Sequence, residues 1–296
     1  MKNLSIKDNL IITVYRLFLK LSWILHEKLN IRIRGIGVAS DWVKSEFSFM
    51  FRNCQFIFLP AAARSYGLLP AGIPNEPETH RFLDSVLAHS IDPVVFVDIG
   101  ASIGEFVITM ASKEKVAKVY AFEPHPKTFT ALAASARGFG KKIDLHEAAV
   151  GDEKGELLFP IAEGSPTGAG FGGAHGEASV SVAVCRLDDT LDLPDDVPVI
   201  MLIDIEGGEL SAIQSGAKFI GDRQPLIVFE YNLVSRRFFT LEQIRECLKD
   251  YDFFRLQSCT GKLDLNLEDT WNVVAIPGNG YWADLRNNRS LFADNE

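Results

Sequence analysis

The sequence predicts an α/β fold, a mostly parallel sheet of seven strands with helices on both faces, preceded by an N-terminal extension. Three observations predict it. From about residue 94 onward, short apolar runs alternate with helical patterns, which is how βαβ units around a parallel sheet read. The first run, Val94-Val95-Phe96-Val97, is apolar at every position, as a strand buried on both faces must be. It ends in Asp98-Ile99-Gly100-Ala101-Ser102-Ile103-Gly104, and strand, glycine turn and helix in that order form the ligand-binding corner of such sheets.

The elements follow in order. Residues 1–75 form a front segment. Leu10 to Leu25 is apolar, but Arg16, Lys20 and Ser22 interrupt it. It is too short and too charged to span a bilayer, which takes about 20 apolar residues, and it lacks the small-residue cleavage site of a signal peptide. It reads as a helix packed on the following domain or on a second subunit of a homodimer. Peripheral contact with a membrane surface through residues 10–25 is the other reading. The basic stretch Arg32-Ile33-Arg34 comes next, then Phe47, Phe49, Phe51, Phe56 and Phe58, whose alternation favours strand or irregular packing over helix. Pro70 to Pro77 is punctuated like a linker. A domain over residues 76–280 opens with an amphipathic helix, Glu78 to His89. Strands are expected at Val94–Asp98, Lys118–Phe122, Ile143–Val150, Val199–Ile205, Leu226–Glu230, Phe253–Gln257 and Trp271–Ile276, the last two as an edge pair. Helices are expected after Gly104, from Pro126 to Phe139, from Glu209 to Ile220 and from Leu241 to Tyr251. An insertion at 152–190 breaks the rhythm. Its centre, from Gly164 to Gly176, is too glycine-rich for regular structure, while its flanks alternate like a strand pair. Residues 281–296 form a tail.

Composition narrows the function. The chain has 296 residues, 47% hydrophobic and 23% charged, with net charge −9. That is globular, and no long basic run offers a surface to nucleic acid. Four scattered cysteines, none in a Cys-x-x-Cys pair, suggest neither a zinc knuckle nor a disulfide framework and fit a reducing cytoplasm, with the inner face of the membrane as the front segment's alternative.

The candidate site residues cluster at strand ends. A dinucleotide fold wants Gly-x-Gly-x-x-Gly, but here Ser102 stands two places after Gly100. The looser turn and the acid at Asp98 disfavour a phosphate and favour an adenosyl ligand with a cationic sulfonium and an amino-acid tail. Glu123 ends the second strand, where an acid accepts ribose hydroxyls. His125, next to it, reads as a solvated loop residue. Asp204 and Glu206 alternate at the fourth strand's end and should point the same way, raising one another's pKa as a general base requires. A divalent cation would relieve the same repulsion, but no clear ligand set is present. Glu209 reads as serving the next helix's N-terminus. Glu230 closes the fifth strand as a base or substrate-orienting candidate. Asp188-Asp189 reads as a turn cap.

Phe96 to Gly104, Tyr120-Ala121-Phe122-Glu123-Pro124, Ala148-Ala149-Val150-Gly151-Asp152, Arg186-Leu187-Asp188-Asp189, Ile203-Asp204-Ile205-Glu206-Gly207 and Val228-Phe229-Glu230 occur in that order. Together they resemble the FkbM family of S-adenosylmethionine-dependent methyltransferases, from Pro93 to Asn232. The resemblance implies a class I methyltransferase (Rossmann-like) sheet, S-adenosylmethionine as cofactor, and methylation of a hydroxyl on a sugar, glycan or other small metabolite. It implies cofactor residues Asp98, Gly100, Ala101, Ser102, Gly104 and Glu123, with Ala149 and Val150 near the adenine and Asp204 near the methyl group. With Asp204 stand Glu206 and Glu230 as catalytic candidates. Ser102 stands where the family often has Asn, and Leu202 where it often has Lys, which weakens any claim that a lysine assists deprotonation here. A nicotinamide oxidoreductase and a non-catalytic partner-binding protein using the front segment are the competing readings.

Overall fold

The structure, a computed structural model, describes residues 4–29, 31, 33, 36–160, 179–194, 196–268 and 270–293. The glycine-rich centre of the insertion and the arginines at 32 and 34 lie outside them.

The front segment starts with α1, Ile6–Leu29, longer than its apolar core suggests. Ser5 and Asp8 cap it reciprocally: the Ser5 N–H donates to Asp8 Oδ2 at 3.2 Å and the Asp8 N–H to Ser5 Oγ at 3.1 Å. Ile12, Tyr15, Leu19 and Ser22 face inward. After α2 (Ile36–Ser40), β1 (Phe47–Phe51) and β2 (Cys54–Phe58) pair antiparallel. Their turn is Arg52-Asn53, at φ +48° and +63°, the two positive values that a two-residue type I′ turn needs. Alternation puts the five phenylalanines on one buried face, with Phe47 and Phe58 stacked at 4.7 Å. This aromatic nucleus continues into the core beneath the main sheet, as one cluster of buried residues.

α3 (Pro77–His89) leads to β3 (Val94–Ile99), buried at all six positions. The chain then runs through α4 (Glu105–Ala111), β4 (Val116–Phe122), α5 (Pro126–Ala136) and β5 (Ile143–His146). The strand expected over Ile143–Val150 divides here: β6 (Ala149–Val150) leaves the main sheet and pairs with β8 (Ser179–Cys185), which pairs antiparallel with β7 (Gly155–Pro160). The insertion's flanks thus form the ribbon their alternation suggests. α6 (Leu187–Thr190), β9 (Val199–Ile203), α7 (Glu209–Ser215), α8 (Ala217–Arg223), β10 (Leu226–Glu230), α9 (Leu241–Cys247), β11 (Tyr251–Leu256), β12 (Leu263–Asp264) and β13 (Asn272–Pro277) complete the order. The helix expected over Glu209–Ile220 breaks at Gly216, where a Cβ would meet Leu187 side-chain atoms at 3.0 and 3.1 Å. In the tail, Trp282 is buried and its indole N–H donates to the Val199 carbonyl at 2.8 Å.

The main sheet has eight strands, in the order β12-β11-β13-β10-β9-β3-β4-β5. The strand beyond the seven expected is the two-residue β12 at the edge. β10, β9, β3, β4 and β5 run parallel, and β13 enters antiparallel between β10 and β11. The order reverses between β3 and β9. A crevice opens outside the carboxyl ends of neighbouring parallel strands at such a switch point, and those ends carry Asp98-Ile99-Gly100 and Asp204.

Candidate functional site

Two cavities meet at that crevice. β3 and β9 converge so closely that the Asp204 N–H donates to the Ile99 carbonyl at 2.9 Å. Gly100 sits at φ +93°, and a Cβ there would lie 1.8 Å from the Asp204 carbonyl oxygen. No residue with a side chain fits that turn. Gly104, at φ +91°, begins α4, where a Cβ would meet Leu132 Cδ1 at 2.6 Å, and it lines neither cavity.

The first cavity is mostly apolar. Ile99, Phe122, Ala148, Ala149, Val150, Leu157, Phe159 and Ile205 wall it, with Glu123, Ser102, Asp204 and Glu206 at its polar side. Glu123 is buried and fixed by three donors. Its Oε2 accepts from the Ser102 N–H at 2.7 Å; its Oε1 accepts from the His125 N–H and the Thr128 hydroxyl, both at 2.8 Å. Burial raises its pKa against these hydrogen bonds, which lower it. His125 is not solvated as expected. It is buried, and its Nδ1 accepts from the Lys127 N–H at 3.2 Å, capping α5.

The second cavity is acidic. Asp98, Ala101, Glu105, Leu202 and Asp204 line it from the sheet side; Arg64, Ser65, Gly67, Asn75 and Glu76 line it from the front segment. Asp98 is 2% exposed, and its Oδ2 has no partner among the described residues. Burial, with Asp204, Glu123 and Glu105 nearby, holds its pKa well above the ordinary carboxyl value. Burial and the same neighbouring charges, Asp204 and Glu105, push Glu76 up to about 8, although its Oε2 accepts from the Thr79 hydroxyl at 2.9 Å and Asn272 Nδ2 at 3.1 Å. The Ser65 hydroxyl is buried and unpartnered as well. Asn75 braces the wall, its Nδ2 donating to Glu105 Oε2 at 2.8 Å while Glu105 Oε1 pairs with His80 Nε2 at 2.9 Å. The Pro70–Pro77 stretch therefore does more than connect. Sequence reasoning missed Ser65, Asn75 and Glu76, which carry no local motif.

Gly100, Ser102 and Asp204 line both cavities, so any ligand spanning the two passes these three residues. Beside them stands Glu230, whose carboxyl titrates as a pair with that of Asp204. Burial first, then the charge of Asp204, pushes Glu230 up to about 10, so Glu230 holds its proton at neutral pH; burial raises Asp204 as well, and Glu230 works against that rise. Glu230 is buried, and its Oε2 has no hydrogen-bond partner among the described residues. Glu206 reaches the first cavity by a different route from strand alternation. β9 stops at Ile203, and Glu206 and Gly207 turn at φ +52° and +108°. Glu209 closes that turn, accepting from the Ile205 N–H at 3.1 Å and the Gly207 N–H at 3.0 Å. Asp188 accepts the Phe219 N–H at 2.8 Å at the start of α8. Among the described residues, no three His, Cys, Asp or Glu side chains are grouped to hold a metal.

The profile of the methyltransferase FkbM domain matches residues 98–254. No curated protein matches the chain. Among solved structures, it is similar to the methyltransferase FkbM of Methylobacillus flagellatus, with 19% identity, a TM-score of 0.45, and coverage of 72% of this chain and 53% of that one. It is similar to a precorrin 8w decarboxylase of Methanobacterium thermoautotrophicum, at 19% identity and TM-score 0.35 over 67% and 89% of the two chains. A 16S rRNA methyltransferase of T. thermophilus, solved with AdoMet and guanosine, shares 12% identity at TM-score 0.42 over 79% and 50%.

Proposed function

The chain belongs to the FkbM methyltransferase family, and from that premise we propose that it moves the methyl group of S-adenosylmethionine to a hydroxyl oxygen of a sugar, glycan or other small metabolite. One observation carries the cofactor assignment: an apolar cavity and an acidic cavity meet at Gly100, Ser102 and Asp204. The cofactor has the same polarity, with an adenine at one end and a sulfonium and an ammonium toward the other. The orphaned, buried Asp98 Oδ2 needs a donor or cation, and the ammonium supplies both.

The residues fit the cofactor as follows. Phe122, Ala149, Val150 and Phe159 would cover the adenine. Glu123, already held by Ser102, His125 and Thr128, would accept the ribose hydroxyls. Asp98 and Glu76 would take the ammonium, and Ser65 would donate to the carboxylate. When bound, S-adenosylmethionine supplies an electrophilic methyl group on a cationic sulfur. Asp204 accepts the proton of the acceptor hydroxyl as the new O–C bond forms and the C–S bond breaks, leaving S-adenosylhomocysteine and a protonated Asp204. Glu230, protonated, keeps Asp204 ionised and aimed before that step. Glu206 lines the polar side of the apolar cavity, next to Asp204. General-base help of this kind contributes about 10²- to 10⁴-fold, and holding the two reactants in line up to about 7–11 kcal/mol.

Titration calorimetry of the purified chain against S-adenosylhomocysteine and against NAD tests the reading. Micromolar binding of the first with none of the second is expected. Binding of NAD alone would instead support the oxidoreductase reading. A methyl-transfer screen over sugar, glycolipid and other hydroxyl acceptors then names the substrate.

A further inference from the structure

The front helix is not used by methyl transfer, and its two faces differ sharply. Tyr15 and Leu19, on the inner face, are 1% and 0% exposed. On the outer face Ile6 is 91% exposed, Leu10 63%, Leu17 61% and Leu21 53%, with Val14 and Ile24 exposed beside them. From Leu10 the spacing runs four, three, four and three residues, so these side chains form one continuous apolar stripe. Lys7 and Lys20 flank the stripe and Lys28 prolongs it by one turn; all three are exposed. Asp8, the acid of the first turn, is tied to Ser5 and Ser45. Trp42, half exposed, packs on Phe18 at 5.8 Å beside the helix.

A monomer in water does not expose such a stripe without a partner, and charge identifies the partner. Residues 1–44 carry eight Lys or Arg against three Asp or Glu, in a chain whose net charge is −9. Across a symmetric interface with a second copy, these helices would bring lysines against lysines. An anionic headgroup layer neutralises them. No helix among the described residues is long and apolar enough to cross a membrane. An apolar stripe with a lysine rim is instead the pattern of a helix lying in the headgroup region.

We propose that the outer face of Ile6–Leu29 docks the protein on an anionic lipid bilayer, lying flat in the headgroup layer. α1 packs on Leu69–Ala71, between Gly67 and Asn75 of the acidic cavity's wall, so docking places that wall one helix away from the lipid surface. An acceptor carried on a lipid would meet the enzyme there.

Vesicle co-sedimentation of the full chain tests this, using phosphatidylcholine alone and phosphatidylcholine with a third phosphatidylglycerol. Partition should favour the anionic vesicles by at least about tenfold and weaken as salt rises. Leu17→Gln with Leu21→Gln should lower partition by at least about tenfold, whereas Leu17→Phe with Leu21→Phe keeps it. Lys20→Glu with Lys28→Glu should erase the preference for anionic lipid. All these positions are exposed, so circular dichroism and S-adenosylhomocysteine affinity should match the parent, which separates failure of docking from failure of the cofactor assignment. Two results would overturn the proposal. One is a parent chain that stays in the supernatant with anionic vesicles. The other is a dimer by light scattering that the glutamine pair converts to monomer without any effect on lipid.

Discussion

Replacing Glu123 with Gln is the sharpest probe of the cofactor corner. The carboxylate is 6% exposed and fully engaged: Ser102 N–H on one oxygen, His125 N–H and the Thr128 hydroxyl on the other, at 2.7–2.8 Å. Gln has nearly the same shape but only one accepting oxygen. Its amide NH₂ must face either the Ser102 N–H or the His125 N–H, a donor against a donor in a buried place. The Thr128 hydroxyl can turn its lone pair to the amide; a backbone N–H cannot. Leaving one buried donor unsatisfied costs about 1–3 kcal/mol, and the ribose hydroxyls lose a charged acceptor worth about 1 kcal/mol beyond a neutral one. A total near 3 kcal/mol, felt mainly in binding because the Ser102 turn loosens with it, is about a hundredfold loss of affinity. Titration calorimetry with S-adenosylhomocysteine reads it, and with adenosine the loss should persist, because ribose is common to both. A Glu123→Gln protein that binds either ligand within threefold of the parent would show that this acid does not hold a ribose.

Three further outcomes follow from the same geometry. Ser65→Ala should weaken S-adenosylhomocysteine by about ten- to a hundredfold, one hydrogen bond to a charged group, and leave 5′-methylthioadenosine, which lacks the amino-acid tail, unchanged; equal effects on both ligands would remove Ser65 from the tail. Asp204→Asn should lower turnover by about 10²- to 10⁴-fold while S-adenosylhomocysteine binding stays within a few-fold, and unchanged turnover would exclude Asp204 as the base. Glu230 is pushed from 4.5 up to about 10 in the fold, so its proton is kept by the native chain and lost by the unfolded chain through neutral pH. Native stability from this group is therefore complete below about 4.5 and declines as pH climbs toward 10; urea unfolding across that range should show a shallower decline in Glu230→Gln, and identical slopes would refute the protonated assignment.

What could be read from the chain, and what could not, divides along a physical line. β3 was legible because a strand buried on both faces must be apolar throughout, and Gly100 because only glycine reaches φ +93° under a carbonyl 1.8 Å from where Cβ would be. The hairpin phenylalanines were legible from period two. The split of Ile143–Val150 was not, since nothing in His146-Glu147-Ala148 marks where β5 stops and β6 turns to pair with Val184 and Cys185. Nor was the break at Gly216, which is set by the approach of Leu187, nearly thirty residues away in sequence. His125 looked solvated because a polar residue between two prolines reads as loop; its burial comes from capping its own helix. Ser65, Asn75 and Glu76 join the site only because α1 and the hairpin pack the front segment over the sheet's carboxyl end, which is tertiary and leaves no local period.

The concentration of acids at that end has a consequence for the reaction itself. Asp98, Glu76, Asp204 and Glu230 all have raised pKa values, chiefly from burial, so a cationic ligand beside them would displace protons from the crevice. S-adenosylmethionine carries the sulfonium charge; S-adenosylhomocysteine does not. Binding the first should therefore release about one more proton than binding the second, a difference measured by calorimetry in buffers of different ionisation enthalpy. The transfer step then removes a positive sulfur and a negative Asp204 together, as the methyl leaves and the hydroxyl proton arrives. In a poorly hydrated crevice, cancelling two opposite charges stabilises the product side more than it would in water. It also loosens the product, because the acids lose the cation that paired them. If both ligands released the same number of protons, the carboxyl cluster would be a structural feature of the strand ends, with no part in sensing the charge that catalysis consumes.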